Sequence, residues 1–221
     1  PKVLGWKRPG RIGSCRLKEK HTIWYVSFFY LNLISLSKNV KLYQKEERMI
    51  NMLDKKVSKL INEQVNKEFY SAYLYLDFSN YYYEAGLDGF GNWYKVQAQE
   101  ERDHAMLMMQ YLQNAGEKVT LTAIAKPDKT MKKIDDALHF GLEHEQYVTK
   151  LINAIYTAAR KADEYKTLQF LDWFVKEQGE EEKNAEALIK KYDMFGKDAK
   201  GLYMLDSELK ARVYAAPSLV L

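Results

Sequence analysis

The sequence predicts an all-α protein, a four-helix bundle with one long crossover and a short fifth helix at the C-terminal end. Between Met52 and Glu208 the only proline is Pro127, and no alternating apolar and polar run reaches the length of a strand. Four segments of helical periodicity are each about 25–30 residues long, well above the average helix. Two short turns and one long central connection between such helices are typical of a bundle with a single crossover.

The first two helices form a predicted hairpin. Helix one is expected over residues 54–85, with Asp54 as its N-cap. The segment 85–92 contains three glycines in eight residues, which predicts a turn. Helix two is expected over residues 90–115, because Gly116 follows its last apolar position.

The long connection and the second hairpin follow. Residues 117–130 contain Pro127 and show no helical period, so they predict the crossover. Helix three is expected over 131–161. Helix four is expected from about Asp163, a second N-cap candidate, to Phe195. A short fifth helix is expected over 202–211, before an apolar tail at 212–221 to which we assign no role.

Charge divides the chain into two parts. Residues 1–51 hold eleven Lys and Arg against three Asp and Glu, whereas residues 52–221 hold 23 against 27. The single cysteine, Cys15, lies in the basic part, so the acidic part has neither a disulfide framework nor a thiolate metal site. This fits a reducing compartment, and we expect a cytoplasmic protein.

The basic leader, residues 1–51, is expected to lie outside the fold, and residues 52–211 are expected to form the bundle domain. The apolar stretch 22–36 is shorter than the ~20 residues of a membrane span, and no cleavage motif follows it. Codons for Lys45–Arg48 can contain a purine-rich ribosome-binding signal just before Met49 and Met52. We therefore expect residues 1–48 to be translated upstream sequence, and we expect no membrane partner.

Each of the four long helices carries one carboxylate near the middle of an otherwise apolar stripe. The helical spacing predicts inward faces made of Val57, Ile61, Gln64, Glu68, Tyr75 and Phe78; Tyr94, Gln97, Glu101, His104, Met108 and Tyr111; Leu138, Leu142, Glu145, Ile152 and Tyr156; and Leu171, Phe174, Gln178, Glu181, Ala185 and Leu188. His104 lies one helical turn beyond Glu101, on the same face. A lone glutamate on a helix is usually solvated, and only the agreement of the four stripes indicates a site.

Four buried carboxylates in one layer would repel one another, and each would be costly to bury unpaired. A multivalent cation at their centre removes both costs. Four carboxylates and one imidazole without sulfur favour iron or manganese over structural zinc. The sequence therefore predicts a metal site, and because one carboxylate can bridge two ions, that site is compatible with a dinuclear centre.

Several segments of the acidic part resemble the bacterial non-haem ferritins in order and spacing. They are NEQVNKEFYSAYLY, QAQEERDHAM, EHEQYVTKLIN, FLDWFVKEQGEEEK and GLYMLDSEL, and together they span about Met52 to Leu209. The resemblance implies a ferritin-like four-helix bundle that stores iron. It further implies oxidation of Fe(II) to Fe(III) by dioxygen or hydrogen peroxide at a di-iron centre, with the mineral held in a homo-oligomeric shell of 24 subunits.

The resemblance also assigns residues. It implies a first iron position at Glu68, Glu101 and His104, and a second at Glu101, Glu145 and Glu181, with Gln178 nearby. A third position, frequent in this family, would use Glu100, Glu177, Glu180 and Glu181. The tyrosine beside the centre matches Tyr75, and a nearby tryptophan matches Trp173.

Alternative functions agree less well with the sequence than that of a ferritin. A rubrerythrin-like di-iron or di-manganese peroxidase usually carries two Glu-x-x-His motifs and paired cysteines, which are absent here. A purely structural bundle would need basic residues on the inward stripes, and few fall there. Met108 and Met109 are expected to fill the core rather than ligate haem, and His144 is expected on another helical face. The acidic body lacks the basic stripe that nucleic-acid binding needs.

Overall fold

The computed structural model describes residue 40 and residues 53–221. Residues 53–221 form five helices and no strand: α1 (Lys55–Glu84), α2 (Asp88–Asn114), α3 (Asp136–Lys161), α4 (Tyr165–Phe195) and α5 (Ala199–Leu209). α1 packs along α2, α3 packs along α4, and α1 also contacts α3, while α5 packs against α2 and α4. The predicted all-α bundle with one long crossover and a short fifth helix is confirmed.

The hairpin between α1 and α2 is tighter than predicted. Asp54 caps α1 as expected, since its Oδ1 accepts hydrogen bonds from the backbone N–H of Lys56 at 2.9 Å and of Val57 at 3.1 Å. The turn is shorter than the predicted glycine-rich segment, and its Gly86 has a φ of +75°. The other two glycines lie inside α2, where they permit close packing: a Cβ on Gly89 would lie 1.7 Å from the carbonyl oxygen of Asp206.

α3 begins at Asp136 and not at residue 131, so the crossover is longer than predicted. The Asp136 carboxylate accepts hydrogen bonds from the backbone N–H of Lys132 at 2.6 Å and of Lys133 at 2.8 Å. These bonds fold residues 132–135 into a turn that replaces the first predicted helical turn. Asn62 on α1 fixes the far end of the crossover, because its amide exchanges two hydrogen bonds with the backbone of Thr120.

The expected N-cap of α4 is wrong. Asp163 has a φ of +54°, in the left-handed region, and Glu164 precedes the helix instead. The Glu164 carboxylate accepts a hydrogen bond from the backbone N–H of Asp54 at 2.8 Å, which ties the starts of α1 and α4 together. α5 begins three residues earlier than predicted because Asp198 accepts hydrogen bonds from the first turn of that helix.

Two apolar clusters form the core, one toward each end of the bundle. The first includes Val57, Met108 and Ile152, and the second includes Phe78, Phe90 and Leu188. A layer of buried polar side chains separates them along the helices: Gln64, Glu68, Gln97, Glu101, His104, Glu145, Gln178 and Glu181. The core thus positions a polar site in the middle of the bundle and closes it at both ends.

The basic leader was predicted over residues 1–51. Except for Val40, these residues lie outside the described part of the chain. Within that described part, none of the helices combines the length and the apolar character needed to cross a bilayer.

Replacement of Asp206 by alanine is expected to lower the free energy of unfolding of the metal-free protein. α2 has no cap from its own N-cap residue, and Asp206 of α5 supplies one through its Oδ1, which accepts from the N–H of Gly89 at 2.8 Å and of Phe90 at 3.0 Å. Loss of such a cap costs about 1–2 kcal/mol. Chemical denaturation followed by circular dichroism measures this difference.

The matched control is Glu208→Ala on the same helix, which removes an exposed ion pair with Lys191. That change should cost less than about 1 kcal/mol. Equal losses in the two variants would refute a capping role for Asp206.

Candidate metal centre

Three side chains from two helices converge in the polar layer. Glu68 comes from the middle of α1, and Glu101 and His104 come from adjacent turns of α2. Each offers a ligand atom, these atoms all lie within 4.8 Å of one another, and all three side chains are buried. The structure therefore brings together the three residues expected at the first metal position.

A glutamine one helical turn earlier orients each of the two carboxylates. Gln64 donates from Nε2 to Oε1 of Glu68 at 2.8 Å, and Gln97 donates from Nε2 to Oε1 of Glu101 at 3.2 Å. Both pairs have the i, i+4 spacing that places side chains next to each other on a helix. Each amide leaves the other oxygen of its carboxylate available for a cation.

Glu145 and Glu181 bring α3 and α4 to the same layer. The phenol of Tyr75 donates to Oε1 of Glu145, and Gln178 donates from Nε2 to Oε2 of the same carboxylate at 3.1 Å. Glu181 is buried next to them and lines a small cavity of about 20 Å³ together with Tyr75 and Glu145. A space of this size accommodates one water-sized molecule.

The layer holds more acidic than basic side chains. Four carboxylates are buried there, whereas no Lys or Arg is buried anywhere in residues 53–221. Burial, together with the negative charge of Glu101, raises the pKa of Glu68 and the pKa of Glu181 to about 8 each. The same two causes raise the pKa of Glu145 well above its ordinary value.

His104 and Glu101 behave as an ion pair, with His104 Nδ1 3.4 Å from Glu101 Oε2. Burial opposes a charged imidazole, but Glu101 outweighs it and raises the pKa of His104 to about 10. Burial also opposes the charged form of Glu101, yet His104 and the Gln97 amide lower the pKa of Glu101. Without metal, protons supply the positive charge at the places where a cation would bind.

Of the residues expected at the third position, only Glu181 lies in this layer, and the other three do not all meet. Oε1 of Glu177 is 4.0 Å from Nε2 of His104, and its side chain is 29% exposed. Glu100 forms an ion pair with Arg212 at 2.5 Å. Glu180 is exposed, and its carboxylate pairs with Lys176 at 3.4 Å.

Two aromatic neighbours and one further histidine complete the surroundings. The Trp173 ring lies edge-on to His104 at 5.5 Å, in the expected place beside the centre. His144 shares a hydrogen bond of 2.8 Å with the hydroxyl of Ser71 and stands edge-on to Tyr75. Among the described residues it does not belong to the group whose ligand atoms converge.

Known proteins share this fold and this sequence pattern. The family model of the ferritin-like domain matches residues 58–195, more than half of the chain. The chain belongs to the ferritin family. It is 40% identical to a bacterial non-heme ferritin of Campylobacter jejuni over 159 residues, which are 72% of this chain and 95% of the relative. A probable bacterial non-heme ferritin-like protein of Haemophilus influenzae is 35% identical over 158 residues.

Solved ferritin structures superimpose on this one. An engineered closed form of the Archaeoglobus fulgidus ferritin gives a TM-score of 0.72 at 39% identity, covering 74% of this chain and 99% of the other. The open-pore ferritin of the same archaeon gives 0.71 at 38% identity, covering 73% and 99%. The resemblance noted from the sequence segments is therefore confirmed.

Sequence reasoning missed two features of this ferritin's site. The glutamines that orient Glu68 and Glu101 were placed on the inward stripes without a role, although their shared i−4 spacing was a readable signal. The contact between Arg212 and Glu100 had no such signal. Arg212 lies in an aperiodic tail, 112 residues from its partner, so no helical spacing connects them.

The metal-free protein is expected to lose stability as pH rises from about 5 to 8. Glu68 and Glu181 have folded-state pKa values of about 8 against an ordinary 4.5, so in this window the folded state binds protons that the unfolded state releases. Stability is therefore greatest below the lower value and is lost as pH rises through the higher one. Zn²⁺ replaces these protons, so its stabilising effect should grow over the same window.

Thermal unfolding at several pH values, with and without Zn²⁺, measures both trends. Glu68→Gln should flatten the pH dependence of the metal-free protein. Glu143→Gln, an exposed site on α3, is the control and should leave that dependence unchanged. A metal-free protein whose stability rose between pH 5 and 8 would contradict the assignment.

Proposed function

We propose that this ferritin stores iron and oxidises Fe(II) to Fe(III) at the buried centre, with dioxygen or hydrogen peroxide as oxidant. The observation that carries the proposal is the layer of four buried carboxylates and one imidazole between two apolar clusters. In the described residues no buried Lys or Arg balances that layer. The Campylobacter jejuni relative is named a bacterial non-heme ferritin, which supports the same reading.

Two Fe(II) ions would share the centre as substrate. Glu68, Glu101 and His104 would hold one ion, and Glu101, Glu145 and Glu181 would hold the other, with Gln178 orienting Glu145. Carboxylates are hard oxygen donors that stabilise Fe(III) over Fe(II) and so favour oxidation. A single imidazole leaves positions open for the oxidant.

The chain's own residues must release protons before they bind iron. Ligand atoms have to be deprotonated, so Fe(II) replaces the protons on Glu68, Glu181 and His104. Gln64 and Gln97 keep the two α1 and α2 carboxylates in place during this exchange, because their hydrogen bonds need no proton from the carboxylate. Iron can thus enter and leave the centre without movement of its helices.

We further propose that 24 copies form a hollow shell in which the ferric product mineralises, and that the protein acts in the cytoplasm without haem. Apolar side chains exposed on the single chain support assembly, among them Tyr73, Leu76 and Tyr83 on α1 and Tyr203 on α5. Glu100, Glu177 and Glu180, together with Glu181, would form a third position that passes iron onward.

Glu101→Gln is expected to slow aerobic Fe(II) oxidation by roughly 100-fold or more, because Glu101 would serve both iron positions and anchor His104. Stopped-flow absorbance at two Fe(II) per subunit measures the rate. Glu143→Gln makes the same chemical change at an exposed residue of α3 and should oxidise iron at the wild-type rate. Wild-type rates in Glu101→Gln would refute the proposed centre.

Addition of many Fe(II) per subunit in air separates this function from its alternatives. A ferritin keeps hundreds of iron atoms in a large soluble particle, on the order of the capacity that a shell requires. A rubrerythrin-like peroxidase would hold only the ions of its centre, and a structural bundle would leave ferric precipitate. Light scattering with iron analysis distinguishes these outcomes.

Tyr75→Phe is expected to change the rate or the products of iron oxidation without preventing iron binding at the centre. Two Fe(II) ions supply two electrons, which reduce dioxygen only to peroxide, whereas reduction to water takes four. We propose that Tyr75, whose phenol bonds to Glu145, supplies the third electron, and that an Fe(II) ion at the third position supplies the fourth. The variant should slow oxidation or raise the yield of peroxide measured after the reaction.

The control is Tyr82→Phe, which removes another buried phenol, one that donates to the backbone oxygen of Ile134. It should behave like the wild type. If Tyr75→Phe also oxidised iron at the wild-type rate and with the wild-type peroxide yield, Tyr75 would have no such role.

A further inference from the structure

Residues 212–221 return along the helices that carry the metal centre. The Asn92 amide at the start of α2 donates to the backbone oxygen of Arg212 at 2.9 Å. Farther along the same helix, Tyr214 donates its phenolic hydrogen to Asp103. Ser218 then accepts a hydrogen bond from Nε1 of Trp173 at 3.0 Å, and Leu219 packs against the apolar cluster that contains Met108.

Arg212 is held through both terminal nitrogens and one face of its guanidinium group. Nη2 donates to Oε2 of Glu100 at 2.5 Å and to Oε1 of Gln97 at 2.9 Å, and Nη1 donates to the backbone oxygen of Trp93 at 3.2 Å. The group also lies over the Trp93 ring, 4.1 Å from its centroid. The Arg212 side chain is only 15% exposed, so this is a built contact.

This contact places a permanent positive charge on a carboxylate of the expected third metal position. An arginine keeps its proton under all conditions that a folded protein meets. A bond between two charged groups of low exposure is much stronger than a surface ion pair. A divalent cation therefore cannot bind Oε2 of Glu100 unless the guanidinium leaves.

Arg212 also connects the third position to the first. Its second acceptor, Gln97, donates through Nε2 to Glu101. The same amide thus lies between the guanidinium and the carboxylate expected to serve both iron positions. Departure of Arg212 would free Gln97 Oε1 at the moment when Glu100 becomes available.

We propose that Arg212 is a built-in competitor for the third metal position, and that residues 212–221 form a strap that must release before a cation binds between Glu100 and Glu177. The proposal rests on the proposed function, which supplies the inner pair of positions. The inner pair then fills first, and the third position fills only when the cation displaces the guanidinium. The tail thereby sets the order in which the ferritin takes up metal.

The experiment titrates metal-free protein with Zn²⁺, which is not oxidised, by isothermal calorimetry. Wild-type protein should show two tight positions per subunit and a weaker third. Arg212→Gln should tighten the third position by roughly ten-fold, the factor that corresponds to loss of one hydrogen bond to a charged group. The inner positions should not change, and Glu100→Gln added to Arg212→Gln should abolish the gain.

Three further variants separate the effect of charge from the effect of the strap. Arg102→Gln removes an equal charge from α2, where Arg102 is exposed and pairs with Asp103 at 3.0 Å, and it should leave the third position as in the wild type. Arg212→Lys keeps the charge and should keep most of the competition. Tyr214→Phe loosens the strap without touching Glu100 and should tighten the third position by less than Arg212→Gln does.

Hydrogen exchange supplies a readout of the strap itself. In wild-type protein the amides of residues 212–221 should exchange faster once Zn²⁺ exceeds two per subunit, and not before. A third position equally weak in wild type, Arg212→Gln and Arg102→Gln, with the inner pair filled normally, would overturn the proposal alone. Failure of wild-type protein to fill the inner pair would overturn the proposed function and this proposal together.

Discussion

Burial of four carboxyl groups in one layer is the constraint on which the rest of this structure depends. A carboxylate removed from water is costly unless a partner or a proton compensates it, and carboxylates packed together add mutual repulsion. The bundle contains the layer by flanking it with two apolar clusters along the same helices. Helices of 26 to 31 residues are long enough to contribute to both clusters and to the layer between them.

The same constraint explains the kinds of side chain that surround the carboxylates. Gln64, Gln97 and Gln178 donate hydrogen bonds without adding charge, so each fixes a carboxylate and leaves it able to accept a cation. A lysine in their place would neutralise the site permanently. Tyr75 does the same for Glu145, because its phenol donates a hydrogen bond without adding charge.

Helical periodicity made most of this site predictable, because the residues that face inward recur every three or four positions. Glu68, Glu101, Glu145 and Glu181 are buried as their stripes indicated. Local exceptions were less predictable. The left-handed backbone of Asp163 excludes the expected cap; aspartate suits both an N-cap and a left-handed position, so the residue type does not decide between them. The glycines after Gly86 looked like turn residues, although they serve helix contacts.

The tail, residues 212–221, contributes a contact to this ferritin's site that the sequence did not predict. In the metal-free chain three devices supply positive charge to one set of carboxylates: bound protons at Glu68 and Glu181, the imidazolium of His104 at Glu101, and the guanidinium of Arg212 at Glu100. Protons leave readily when a cation arrives, because each proton passes from its ligand atom to water and no other contact has to break.

A guanidinium cannot leave as a proton does, since the whole Arg212 side chain has to move away. Its departure breaks the contacts of Arg212 with Trp93 and Gln97 as well as the pair with Glu100. Metal binding to the carboxylates that hold protons therefore costs little free energy. Metal binding to Glu100 costs more, because the pair with Arg212 must break. The order of metal uptake follows from the kind of positive charge that each carboxylate holds beforehand, and not from the carboxylates themselves.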